Sequence, residues 1–101
     1  MGEPVTVFAS FEGVTGRTEE LESLLRLMVG HTRAEPGCER YDLYRGRGSA
    51  GVFHLIERYR DEKALEEHRA APYYLEYRRR VVDLIEGGVG VVVLEPIDVA
   101  D

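Results

Sequence analysis

Two residues in the second half of the chain carry side chains that suit acid–base chemistry. His68 ends the segment Ala64–His68, which has helical spacing, and an ordinary histidine pKa of about 6.5 suits a general base. Glu57 lies among apolar residues of a strand pattern, where a carboxylate must be paired or have a raised pKa. We predict that His68 and Glu57 are the catalytic residues, with Glu57 orienting His68 or holding a substrate hydroxyl. Two structural alternatives stay open: His68 bonded to a carbonyl or carboxylate in the helix packing, and Glu57 paired with an arginine.

Tyrosines are the second group of candidates, because an aromatic ring can stack on a planar ligand while its hydroxyl binds it. Three of the six tyrosines follow the helix break at Pro72, and Tyr59 shares a strand face with Phe53 and Leu55. The alternative for most of these side chains is a place in the core or in an interface. The residues predicted to bind substrate are Tyr59, Tyr73, Tyr74, Tyr77, Phe53 and Leu55.

Other reactive or charged side chains are assigned to structure. The three histidines fall on different predicted elements, so we expect no metal site. The glycines of Gly46–Gly51 form a hairpin connection, since no helix follows them to make a phosphate loop. Cys38 is assigned as a small buried residue, because no histidine is placed in the sequence to activate it. Arg78–Arg80 lies near acidic residues and is assigned to a solvated helix face.

The elements that must position these residues follow from hydrophobic periodicity and from Gly and Pro breaks. Thr18 is predicted as the N-cap of a helix that ends near Ala34, and Asp61 as the N-cap of a helix through His68. Pro72 restarts that helix, and Gly87-Gly88 is predicted as its C-cap signal. The remaining predicted elements are strands Val5–Glu12, Glu39–Arg45, Val52–Tyr59 and Val89–Glu95, and a helix Tyr73–Glu86.

The order β-α-β-β-α-β predicts an α+β, ferredoxin-like sandwich in a single domain over residues 1–101. Val89–Glu95 is an unbroken apolar run, so we expect a central or doubly covered strand. Helices cover only one face of such a sheet, yet both faces of Val52–Tyr59 carry apolar residues. We therefore predict a homodimer that stacks sheet on sheet.

Charge and composition exclude several classes of function. The formal net charge of the 101 residues is −6, which argues against binding to nucleic acid or to anionic membranes. The longest apolar stretch, Gly87–Leu94, is far too short to span a bilayer. A single cysteine fits a reducing compartment, and we expect a cytoplasmic protein.

Several motifs in a fixed order resemble the antibiotic biosynthesis monooxygenase superfamily, the dimeric α+β barrels. That pattern has a Pro-Gly before the second strand, a third strand that ends Glu-x-aromatic, and an Ala-Leu-x-x-His helix soon after. The resemblance runs from about Val5 to Pro96. The residues that carry it are Glu35-Pro36-Gly37-Cys38, Tyr41, Val52–Tyr59 and Asp61–His68.

The resemblance implies a protomer that pairs through its sheet, and oxygenation of an electron-rich aromatic substrate by dioxygen without metal, flavin or haem. The chain has no Asn and no Trp, which haem-degrading members use, and it shares Glu57 and His68 with the quinol-oxidising pattern. We expect a cofactor-independent monooxygenase acting on a quinol-like or polycyclic phenolic molecule. Two alternatives stay open: an isomerase or lyase on a small carbonyl metabolite, and a non-catalytic small-ligand-binding stress-response dimer.

Overall fold

Four strands form one antiparallel sheet, with helices against one of its faces. The computed structural model describes residues 2–100 of the chain. This topology confirms the predicted ferredoxin-like α+β fold, with its second helix divided in two. The elements are β1 (Val5–Glu12), α1 (Thr18–Arg33), β2 (Cys38–Arg45), β3 (Val52–Tyr59), α2 (Glu62–Ala70), α3 (Pro72–Val81) and β4 (Gly90–Leu94). The order of the strands in the sheet is β2-β3-β1-β4.

Strand β3 lies inside the sheet and has two different faces. Its odd-numbered residues are buried under the helices, whereas its even-numbered residues are only partly buried on the opposite face. This confirms the predicted alternation and places Glu57 on the helix side. Residues of α1 with helical spacing complete the main core against the sheet: Leu21, Leu24, Leu25 and Met28 pack with Ala9, Phe11, Phe53 and Leu55.

Two of the three predicted helix start signals are confirmed. The side chain of Asp61 caps α2 by accepting a hydrogen bond from the Ala64 N–H at 2.8 Å, and Pro72 occupies the first turn of α3. Thr18 as an N-cap is wrong, because α1 begins at Thr18 itself. The carbonyl of Arg17 accepts the first intrahelical bond from the Leu21 N–H at 3.1 Å.

Helix α3 is shorter than predicted and ends at Val81 instead of Glu86. The backbone beyond it bonds to the end of β1: the Val14 N–H donates to the Leu84 carbonyl at 2.9 Å, and the Glu86 N–H donates to the Glu12 carbonyl at 2.8 Å. These long-range bonds replace further helical ones, so Gly87 lies in a connection, with φ +66°, and does not cap the helix.

Strand β4 corrects another prediction, because it is an edge strand and is not central. It pairs only with β1, and all five of its residues are exposed in the single chain. Val91 and Val93 lie on the helix side of the sheet, but they stay 44% and 53% exposed, because α2 and α3 cover this edge only in part. The apolar run therefore reflects surface that the helices of this chain leave open.

The face of the sheet away from the helices is apolar across three strands. Phe8 on β1 pairs with Ile56 on β3 and with Val92 on β4, which makes a continuous stripe. Phe8 and Ile56 are only partly buried, and Val92 is about half exposed. Within residues 2–100 no helix is long and apolar enough to cross a membrane.

Candidate functional site

A small cavity between the sheet and helices α2 and α3 brings the predicted catalytic residues together. Its volume is about 20 Å³, which holds one or two water molecules. The polar and aromatic walls of the cavity are formed by Tyr41, Glu57, His68, Tyr74 and Tyr77. Its apolar floor and edge are formed by Val7, Ala9, Val89 and Val91. The exposed residues Arg69 and Arg78 lie at its opening.

His68 is buried in the cavity wall and is bonded to a carboxylate that the sequence analysis did not select. Its Nδ1 lies 3.0 Å from Oε2 of Glu35, and the same oxygen accepts a hydrogen bond from the Tyr73 hydroxyl. An ionised carboxylate can only accept, so we assign the proton of the neutral ring to Nδ1. Nε2 then carries the lone pair available to a ligand.

The environment of His68 favours its neutral form. Burial lowers the pKa of His68 below its usual value, and the hydrogen bond and negative charge of Glu35 act in the opposite direction. Four tyrosine rings surround the imidazole, with centroids 4.9–6.3 Å away: Tyr41, Tyr59, Tyr73 and Tyr74. The site therefore holds an uncharged base with a fixed tautomer.

Glu35 reaches His68 because its loop packs closely on α2. A Cβ placed on Gly37 would lie 2.5 Å from the Cβ of Ala64, a separation that packed atoms do not tolerate. The Arg60 N–H also donates to the Gly37 carbonyl at 2.8 Å. Since His68 is one helical turn after Ala64, this contact places Glu35 beside it.

Glu57 is buried and hydrogen-bonded, but to a different partner from the one predicted. The Tyr59 hydroxyl donates to its Oε1 at 2.7 Å, and Glu35, not Glu57, orients His68. Burial raises the pKa of Glu57 to about 6, against the smaller opposing effects of the Tyr59 hydrogen bond and the charge of Arg69. Glu57 therefore changes protonation near neutral pH, which suits a proton donor or a hydroxyl-binding group.

The predicted substrate-binding residues fall into two groups. Tyr74 and Tyr77 line the cavity, and burial raises the pKa of Tyr77, so its hydroxyl remains a donor. Tyr59 lies behind the cavity, bonded to Glu57, and Tyr73 lies outside it, stacked on His31. Phe53 and Leu55 lie in the main core, and Phe53 also lines a separate groove between α1 and β2.

Several residues of the site were not selected from the sequence. Glu35 and Tyr41 were noted within the family pattern, but neither was selected as a site residue. Arg78 lies at the cavity opening, whereas the sequence analysis assigned it to a solvated face. The missed residues are Glu35, Tyr41, Arg69 and Arg78, together with the valines and alanine of the cavity floor and edge.

Two other chemistries lack support in the described part of the chain. Among residues 2–100 no three His, Cys, Asp or Glu side chains converge to hold a metal ion. Cys38 is partly buried, and burial raises the pKa of its thiol to about 11, which keeps it protonated and unreactive.

The ferredoxin-like fold, with a cavity that contains a histidine between its helices and its sheet, agrees with the family that the comparisons identify. The chain belongs to the antibiotic biosynthesis monooxygenase family, whose model (Antibiotic biosynthesis monooxygenase) matches residues 4–80. The protein named "Putative monooxygenase Rv0793" from Mycobacterium tuberculosis is 45% identical over 100 residues, 99% of this chain and 98% of that protein. "Putative monooxygenase YcnE" from Bacillus subtilis is 29% identical over 75% of this chain and 80% of its own.

Solved structures agree with this assignment. The structure of Rv0793 from M. tuberculosis has a TM-score of 0.91 at 44% identity and covers 98% of this chain and all of that one. PA3566 from Pseudomonas aeruginosa has a TM-score of 0.88 at 35% identity, with 97% and 98% of the two chains covered. The predicted superfamily is thereby confirmed.

Proposed function

We propose that this protein is a monooxygenase that oxidises a quinol-like or polycyclic phenolic molecule with dioxygen, using His68 as general base. The observation that carries the proposal is the buried, neutral His68, whose Nδ1 is bonded to Glu35 inside a tyrosine-lined cavity. Family membership and relatives named as monooxygenases support the oxidoreductase class.

The reaction needs only the substrate, dioxygen and a base. Nε2 of His68 takes a phenolic proton, and the electron-rich ring then transfers one electron to dioxygen. Superoxide and the ring radical combine to form a carbon–oxygen bond. The resulting hydroperoxide loses water as its O–O bond breaks and the hydrogen of that ring carbon leaves as a proton. A quinol and dioxygen thus give a hydroxyquinone and water, while the protein binds, deprotonates and excludes bulk water.

The size of the cavity bears on the substrate. At about 20 Å³ it is far smaller than the roughly 300–1,000 Å³ of typical ligand sites, so a substrate enters only after side chains at the opening move. Tyr74 is partly buried and Arg78 is exposed, so both can rotate outward without unpacking the core. A single-ring quinol requires the smallest opening and is the preferred substrate.

Oxygen uptake tests this function. Purified protein with a panel of hydroquinones and anthrones is expected to consume dioxygen faster than the same compounds alone, and His68→Gln should abolish most of the increase. If no compound stimulates uptake by the folded protein, the proposal fails.

The same acid–base groups favour a second candidate, an isomerase or lyase acting on a small carbonyl compound. Glu57, with a pKa of about 6, and neutral His68 lie on the same cavity and form an acid and a base. Turnover under nitrogen separates the two, because proton transfer continues without dioxygen and oxygenation stops.

We also propose that two copies pair through the open faces of their sheets, in a cytoplasmic homodimer. The stripe formed by Phe8, Ile56 and Val92 supports this, because an apolar surface of that extent is stabilised by burial. The partner would be a second copy, since the same stripe can cover itself about a two-fold axis.

Sedimentation velocity at micromolar concentration tests the dimer. Wild-type protein is expected to sediment as two copies and Ile56→Glu as one. Glu66→Gln, at an exposed position of α2 on the opposite side of the molecule, is the control and should keep the wild-type value. A wild-type protein that stays monomeric and folded would refute the pairing.

A further inference from the structure

Two arginines mark the opening of the cavity. Arg69 follows His68 on α2, and Arg78 follows Tyr77 on α3, so each begins next to a cavity-wall residue and extends to the surface. Both side chains are exposed, and both line the cavity together with Val89 and Val91 near the edge strand. The opening therefore carries two positive charges in a chain of net charge −6.

These two arginines differ from most others in the chain. Among residues 2–100, Arg69 makes no ion pair, and the hydrogen-bond partner of Arg78 is the Tyr74 hydroxyl at 3.3 Å. The two arginines that follow Arg78 lie near carboxylates. Arg79 forms an ion pair with Glu76. Arg80 lines a groove together with Glu20 and Asp83. Arginines in ion pairs with carboxylates are Arg17, Arg26, Arg33, Arg40, Arg45, Arg58, Arg60 and Arg79.

We propose that the cavity takes an aromatic substrate that carries an anionic group, a carboxylate or a phosphate, held at the opening by Arg69 and Arg78. This inference rests on the proposed function, because it places the ring of that substrate between Tyr74 and His68. The guanidinium fork matches both anions through paired, charge-assisted hydrogen bonds.

Charge inside the cavity fixes which end of the substrate enters. Glu57 is the carboxylate of the cavity wall, and it would repel an anion placed deep in the site. The anionic group therefore stays at the opening, where Arg69 and Arg78 replace its water, and the neutral phenolic end points to His68.

Binding without dioxygen tests this recognition. Under nitrogen, titration calorimetry compares 2,5-dihydroxybenzoate and 4-hydroxyphenyl phosphate with a neutral probe, methyl 2,5-dihydroxybenzoate. At low salt we expect at least one anion to bind about tenfold more tightly than the ester. The tighter of the two identifies the preferred anion.

Two double variants supply the control. Arg69→Gln/Arg78→Gln should remove the preference, whereas Arg79→Gln/Arg80→Gln removes the same amount of charge from α3, away from the opening, and should keep it. Melting curves establish that each variant is folded. Equal affinity for the anions and the ester, no binding of any probe, or a preference that survives Arg69→Gln/Arg78→Gln would overturn the inference.

Oxygen uptake separates this inference from the proposed function. Uptake of dioxygen by the wild-type protein with neutral hydroquinone, together with no preference for anions in the binding titrations, would keep the oxygenase and overturn anion recognition. If anions bind through the two arginines but no compound stimulates the uptake of dioxygen, the proposal of anion recognition stands and the proposed monooxygenase function fails.

Discussion

His68 and His54 lie on opposite sides of the same sheet, and each is bonded through Nδ1. His68 lies 3.0 Å from a carboxylate oxygen of Glu35, is 2% exposed and is surrounded by tyrosine rings. His54 lies 3.0 Å from the hydroxyl of Ser10, stacks on Phe8 at 5.3 Å and is partly open to solvent.

The hydrogen-bond partner of each histidine decides whether the tautomer of its ring is fixed. A carboxylate can only accept a hydrogen bond, so it fixes the proton of a neutral imidazole on Nδ1 and leaves Nε2 as a base. A serine hydroxyl can donate or accept, so Ser10 does not fix the tautomer of His54. A histidine in a helix-covered cavity with a fixed tautomer is suited to chemistry, and one on an apolar open face is suited to packing.

Replacing each histidine is the strongest test of this contrast. His68→Gln is expected to lower the rate of oxygen uptake about 10²–10⁴-fold, the usual contribution of a general base. His54→Gln should stay within a few-fold of wild type when assayed at concentrations that keep two copies together. Equal losses in the two variants would remove the distinction between the faces.

Displacing the loop that carries Glu35 should disrupt the packing of this loop on α2 and the contact between Glu35 and His68. Gly37→Ala is expected to destabilise the protein by about 1–3 kcal/mol, because its new Cβ overlaps that of Ala64. Urea unfolding measures this, and Ala64→Gly in the same chain should recover part of the loss. Gly30→Ala is the control: its Cβ meets nothing within 4 Å, and it should stabilise α1. A Gly37→Ala variant as stable as wild type would contradict this packing.

Buried charge on the helix side should appear as pH-dependent stability. The folded-state pKa of Glu57, about 6, is above its ordinary value of 4.5, so its contribution to stability is complete below pH 4.5 and is lost as the pH rises to about 6. Relative to wild type, Glu57→Gln should gain about 2 kcal/mol in unfolding free energy between pH 4 and pH 8. Glu12→Gln, on an exposed position, should show no such gain.

The smallest expected effect concerns the charge of Glu35. Its carboxylate raises the pKa of His68 against the effect of burial, so Glu35→Gln should lower that pKa further. NMR titration of the His68 ring is expected to give a lower midpoint, and the acidic limb of the activity profile should shift with it. Glu67→Gln, at an exposed position beside His68, is the control. An unmoved midpoint in Glu35→Gln would mean that Glu35 does not act through His68.

Local patterns predicted the parts of the fold that local energetics decide. The alternation of β3 placed Glu57 on the covered face, because successive strand residues point to opposite sides. Asp61 was predictable as a cap, since its side chain satisfies a backbone N–H three residues away. The order of the elements followed from hydrophobic periodicity and from Gly and Pro breaks, and the family pattern added the superfamily.

Local sequence patterns could not predict contacts between residues that are far apart in the chain. Glu35 and His68 are 33 residues apart, and what joins them is the close approach of Gly37 to Ala64. Leu84 continues the helical period of α3, but its carbonyl bonds to Val14, so the helix ends early. The apolar run of β4 predicted a central or doubly covered strand, but the strand lies at the sheet edge and all five of its residues are exposed in the single chain.

Deleting one residue from the middle of β3 would reverse every later side chain of that strand. Without His54, for example, Glu57 would turn to the open face, and Ile56 and Arg58 would turn under the helices. The cavity would lose its acid, and the apolar stripe would lose its centre, through a change of a single codon. Insertions and deletions among relatives are therefore expected in connections such as residues 46–51, and not in this strand.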